Sequence, residues 1–168
     1  LHASDRELFN TRGAYRAMQE GPPAVDVLKI WSTKLPTKVK FFAWLLSRGR
    51  LNTRAYLHHR NIKALEESWC EHCTGVMETD AHIFSECRRA RDVWASLGFS
   101  VPSSLVQRPW DIGVSTPLPE NVRLDIVLLI LWHLWKSRNA AIFDQTDSSS
   151  QDIINRVARN IDSWMGRY

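Results

Sequence analysis

Trp69-Cys70-Glu71-His72-Cys73, followed by Glu78-Thr79-Asp80-Ala81-His82-Ile83-Phe84-Ser85-Glu86-Cys87, is the stretch that organises this chain of 168 residues. Its ligand pattern is C-x2-C-x8-H-x4-C, and it contains all three cysteines of the protein. A Cys-x-x-Cys turn aims two thiolates at one point. His82 and Cys87 lie about one and a half helical turns apart, which predicts a place near the end of a short helix, as for the second ligand pair of a zinc finger. A Cys3His set is soft and closed, so Cys70, Cys73, His82 and Cys87 are expected to hold one structural Zn2+ rather than a catalytic ion with an open water position. Three buried cysteines beside an unrelated histidine would be the bland alternative. His72, inside the Cys-x-x-Cys turn, competes on paper, but His82 has the better separation. Residues 66–87 carry few large apolar groups beyond Trp69, Val76, Met77, Ile83 and Phe84, so the metal is expected to order this loop.

Outward from this knot the pattern is helical. On the N-terminal side, Asn10 or Thr11 can cap a helix over 14–19 that Gly21-Pro22-Pro23 stops. Val25, Val27, Leu28, Ile30 and Trp31 fit a short amphipathic helix that Leu35-Pro36 breaks. Residues 38–48 are apolar almost all round, which predicts a helix in the middle of a bundle, ended by Gly49. Asn52 or Thr53 can cap the next, with Tyr56 and Leu57 on its core side. On the C-terminal side, Ala90, Val93, Trp94 and Leu97 recur at helical spacing before Gly98. Four prolines and scattered serines make 99–119 a linker. A long apolar helix runs from Glu120 or Asn121 to about 143. Its apolar run over 126–135, interrupted only by His133, is about half the roughly 20 residues a bilayer requires, so it reads as a core helix. Ile153, Ile154, Val157, Ile161 and Trp164 mark one face of a final helix. Strand-like alternation is rare. The fold class is therefore mainly α: a helical domain over 1–98 built around one Cys3His zinc knot, a linker over 99–119, and a long-helix extension over 120–168 that packs on the first part.

Charge is the second signal. The net charge is +4, yet between Val27 and Leu65 there are nine Lys or Arg residues and no Asp or Glu. Lys38, Lys40, Arg48, Arg50, Arg54 and Arg60 come from this stretch, and Arg88, Arg89 and Arg91 follow the last metal ligand. Clustered cations beside a rigid knot suit phosphate contacts, though a solvated face spread over several helices has the same composition. His58-His59 diverge by about 100 degrees on a helix and read as part of the basic face rather than as a metal pair. Tyr-x-Asp-Asp, the Gly-rich phosphate loop and the G-x-S-x-G elbow do not occur, so no enzyme is expected. Most of the eight tryptophans fall at core-facing positions; Trp69 and Trp110, beside loops, are the better candidates for partner contact, with packing over the zinc knot the favoured role for Trp69. No cysteine remains for a disulfide and residues 1–6 carry no apolar leader, which suits the nucleus or cytoplasm. The chain begins at Leu1 rather than Met, as a piece of a longer protein would.

Several spaced motifs agree in order with one family. Pro36-x-Lys38-Val39-Lys40-Phe41-Phe42-x-Trp44, Arg50-Leu51-Asn52-Thr53-Arg54, Cys70-x-x-Cys73, Glu78-Thr79-x-x-His82 and Glu86-Cys87 with Val93-Trp94 resemble the zinc-binding domain that follows the polymerase in plant LINE-type (non-LTR) retrotransposon reverse transcriptases. The likeness covers about residues 8–97, and Trp132-x-x-Trp135-Lys136-x-Arg138-Asn139 resembles the segment after that domain. The resemblance implies His82 as the histidine ligand and a short extended piece at 8–10. The basic stretch beside the knot, in a chain that resembles this retroelement domain, leads us to expect a non-catalytic module that binds RNA or DNA through its basic surface. The alternative is a domesticated host protein that binds a protein partner as inhibitor, adaptor or antidote. Neither reading involves a membrane or a small-molecule substrate.

Overall fold

A computed structural model describes the backbone of residues 25–165 and the side chains of 26–163. The readings at 8–10 and 14–19, and the side chain of Trp164, lie outside the described residues. The described elements are α1 (Val25–Ser32), α2 (Thr37–Ser47), α3 (Arg54–His59), a π-helical turn (His82–Glu86), α4 (Arg88–Ser96), α5 (Glu120–Phe143) and α6 (Ser150–Met165), with short 3-10 turns at Leu65–Glu67, Ser103–Leu105 and Pro109–Asp111. Among the described residues there is no strand, only an isolated antiparallel bridge between Trp69 and Met77. The protein is mainly α.

Helix ends follow local chemistry. Gly49 (φ +59°) and Gly98 (φ +74°) end α2 and α4 with the same paired bonds. In the first, Gly49 N–H reaches Leu46 O and Arg50 N–H reaches Leu45 O; in the second, Gly98 N–H reaches Ala95 O and Phe99 N–H reaches Trp94 O. These close the last carbonyls in Schellman fashion, which requires a left-handed residue where glycine stands. Thr53 accepts a hydrogen bond from Tyr56 N–H at 3.1 Å and caps α3. Ser149 and Asp152 exchange bonds at the start of α6, where Ser149 Oγ accepts from Asp152 N–H and the Asp152 carboxylate accepts from Ser149 N–H.

The central element is α5, packed against α2, α6, the π turn and the Pro109–Asp111 turn. By length and composition it could cross a membrane; here Leu124, Val127–Leu131 and Leu134 are buried against those neighbours. Being covered on several sides, it also takes polar groups into the core. Arg123 donates to Trp110 O, and His133 meets the Asn160 amide of α6. Ile153 and Val157 of α6 are buried, as the amphipathic pattern requires.

Four expectations are corrected. Burial in α2 falls on Val39, Phe42, Ala43 and Leu46, while Phe41 is half exposed, so this helix lines one side of the core rather than its middle. None of α3 is buried: Tyr56 and Leu57 are half-buried rather than core residues, Tyr56 because it lines an open groove. Trp31 is 42% exposed, since Val27 and Ile30 supply the core side of α1. Trp110 is 7% exposed, since the 3-10 turn that bears it docks on α5 and α1. In the proline-containing stretch, Phe99, Val106 and Ile112 are buried as well.

Candidate metal centre

The two halves of the centre come from different local structures. In the first, Cys70 N–H donates to Val76 O at 2.8 Å, Glu78 N–H to Ser68 O at 2.9 Å, and the Trp69–Met77 bridge lies between. Gly75, at φ +72°, turns the chain back, and His72 N–H points at Cys70 Sγ, 3.4 Å away. This knuckle presents Cys70 and Cys73. In the second half, Cys87 N–H donates to His82 O at 2.7 Å, an i→i+5 bond that closes the π turn between the two ligands themselves. Five residues along an α-helix would leave these side chains about 140 degrees apart. The wider turn returns Cys87 towards His82 and then starts α4. A short α-helical end, read from the spacing, is thus replaced by a π turn. That wider turn satisfies the x4 spacing. Thr79 Oγ1 accepts from His82 N–H at 3.0 Å, and Trp94 Nε1 donates to Phe84 O at 2.7 Å, so the turn is fixed at both sides.

One ligand atom from each of Cys70, Cys73, His82 and Cys87 lies within 4.8 Å of the others. Cys73 Sγ and Cys87 Sγ are 3.8 Å apart, close to the edge of a tetrahedron with metal–sulfur bonds of about 2.3 Å. His82 is buried, and its Nε2 has no hydrogen-bond partner, an orphan that a metal ion would satisfy. A hydrogen bond from Cys87 lowers the Cys70 thiol to about 4 against the cost of burial, and that same bond, with burial, pushes Cys87 up. A cation would hold all three as thiolates. The hollow beside Cys70 and Cys87 is about 30 Å³, room for a water but not for a substrate. Four ligands and no space describe a structural site that could hold one metal ion. His72 stands outside the set, near Arg89 and Asp147.

Around the ligands lies a charged frame, only part of which is legible in the sequence. Glu78 is 1% exposed; its carboxylate accepts from Arg138 of α5 and from Arg54 N–H. The Arg138 guanidinium also lies over the Trp135 ring, 4.9 Å from its centroid. Trp135 and Trp132 in turn enclose Phe42 of α2, with centroids 6.2 and 5.4 Å away, and Phe84 packs on both Phe42 and Trp135. The motifs at Glu78-Thr79-x-x-His82 and Trp132-x-x-Trp135-Lys136-x-Arg138 therefore meet in space.

Two of the nine cations singled out in the sequence belong to this frame. Arg54 pairs with Glu71 and donates to Trp69 O; Arg89 pairs with Asp147 and donates to Ser137 Oγ. Lys40 donates to Trp31 O at 3.0 Å. Lys38, Arg48, Arg50, Arg60, Arg88 and Arg91 are exposed, and among the described residues none of them makes an ion pair.

A helical protein with a closed Cys3His centre is a metal-knot module, and comparison with known proteins gives the family. Residues 9–94, just over half of the chain, match the family described as zinc-binding in reverse transcriptase. The chain belongs to that family. A relative in Arabidopsis thaliana, provisionally named a ribonuclease H protein, is 26% identical over 150 residues, covering 82% of this chain and 24% of that protein. The chain thus spans about a quarter of that relative's length. No solved structure matches.

Proposed function

We propose that this chain is a non-catalytic module in which one structural zinc ion braces a basic surface against the sugar–phosphate backbone of RNA or DNA. What supports zinc is the donor set: three thiols and an imidazole in tetrahedral reach suit Zn2+ over the hard cations. The observation that carries the nucleic-acid reading is the set of six exposed cations without carboxylate partners, in a chain whose other prominent arginines, Arg54, Arg89 and Arg138, are all paired. Phosphate contacts of this kind give affinity with little sequence preference. The test is a binding titration against RNA and DNA at several salt concentrations. Arg48→Glu, Arg50→Glu and Arg88→Glu should each weaken binding to all sequences alike. Each should also make the slope of log affinity against log salt shallower by about 0.7–0.9. Arg54→Glu is unsuited, since it would break the frame of the knot.

The second reading, a protein-interaction module, draws on Leu28 and Trp31 of α1 and Phe41 of α2, each about half exposed. It expects no nucleic-acid affinity even at low salt. Trp110, buried, cannot be its contact residue.

A further inference from the structure

Away from the metal ligands, a groove of about 240 Å³ opens between the end of α2, the outer side of α3 and the chain entering the π turn. Its lining includes Gly49, Tyr56, His59, Thr79, Asp80 and Gln107. We propose that this groove takes one unpaired base of a single-stranded nucleic acid, with Arg48 and Arg50 on the flanking phosphates. The proposal rests on the backbone-binding reading above and adds a subsite to it.

Cations adjoin the groove in the chain: Arg48 and Arg50, both exposed, flank its lining residue Gly49, and exposed Arg60 follows its lining residue His59. The interior is different. Asp80 lines the groove, and its charge repels a phosphate while offering acceptors to a base edge. Its Oδ1 accepts from Ala81 N–H at 2.9 Å and its Oδ2 from Gln107 Nε2 at 2.7 Å. Each of these oxygens has further acceptor capacity, and the Gln107 amide retains a carbonyl and a second N–H. Such a donor–acceptor edge matches the edge of an unpaired base, which in a duplex is engaged with its complement. Two aromatic residues, Tyr56 and the exposed His59, also line the groove; the Arg60 guanidinium lies over the Tyr56 ring, 5.9 Å from its centroid, which leaves His59 as the stacking surface proposed for a base. Gly49 lets Gln107 approach: a Cβ there would stand 3.1 Å from Gln107 Nε2, at a φ of +59° that L-residues rarely adopt. The volume is below the roughly 300–1,000 Å³ of pockets that enclose drug-sized ligands, and suits one flat ring system.

The test uses the full chain and three fluorescent probes in anisotropy titrations: a single strand, its abasic counterpart with the same number of phosphates, and the duplex. Wild type is expected to bind the intact strand about tenfold more tightly than the abasic one. His59→Ala and Gln107→Ala change exposed residues and should erase that advantage with metal content as in wild type, while Gln107→Ala, which removes no cation, leaves binding of the abasic strand unchanged. Equal binding of intact and abasic strands by the wild type, or an advantage that survives in both variants, overturns the proposal and leaves backbone binding standing. Absence of binding to all three probes overturns the backbone reading, and the groove proposal with it.

Discussion

Glu78 joins the metal loop to the rest of the protein with one carboxylate, and its removal should be costly. In Glu78→Ala the Arg138 guanidinium would stay largely buried without its anion, a change expected to cost about 3–5 kcal/mol. Arg138→Met in the same chain should recover part of that loss, and a double-mutant cycle by denaturant unfolding measures the coupling. His133 makes a second prediction at this scale. Burial first, then Lys136, Arg156 and Arg159, depress its pKa from 6.5 to about 4. The unfolded chain therefore binds a proton that the folded chain refuses. Stability should be complete above about pH 6.5 and fall as pH drops towards 4. The metal ligands titrate in acid too, so the measurement is the difference between wild type and His133→Gln, which should show the shallower fall.

At the scale of elements, the knuckle is the least self-sufficient of the described parts. It presents no broad apolar face, whereas the π turn buries Ile83 and Phe84 in the core, and the ligand set closes the first on the second. Metal ligation in finger-sized units is worth roughly 10–16 kcal/mol of apparent free energy. Cys73→Ser, or chelation, should thus open residues 68–78 to hydrogen exchange while the α5–α6 pair keeps its protection. Unchanged exchange in that loop would contradict the assignment. Thr79→Ala removes the bond to His82 N–H and should cost about 1 kcal/mol with the metal retained, by analogy with a helix N-cap.

Taken as a whole molecule, the zinc-binding portion and the C-terminal helices share one core. Phe42 and Phe84 lie against Trp132 and Trp135, and Leu128, Ile130 and Leu131 are fully buried. A chain ending at residue 119 would expose Phe42, Phe84 and the buried side of α1 to water. It is expected to lose cooperative unfolding and to aggregate, even with zinc supplied. Within the full chain, Leu128→Ala should cost about 2–5 kcal/mol and lower the melting temperature of the N-terminal helices along with α5.

By itself the sequence determined which four side chains come together as a group that could hold a metal ion, the helical class and many of the helix ends. These are local matters: with three cysteines in the whole chain their spacing leaves one sensible cluster, and glycine, proline and capping residues act on their immediate neighbours. Only the tertiary structure decided which cations are committed. Arg54 and Arg89 read like Arg48 and Arg50 in the sequence, but carboxylates 17 and 58 positions away hold them. It likewise separated Trp110, which a turn carries into the core, from Trp31, which helical periodicity alone would bury. Periodicity fixes how side chains are spaced along an element; which face is covered depends on what packs across it. The π turn belongs to the same class. A spacing of four residues between His82 and Cys87 permits several backbones, and the requirement that both ligands reach one point, with Trp94 and Thr79 holding the turn, selects the wider one.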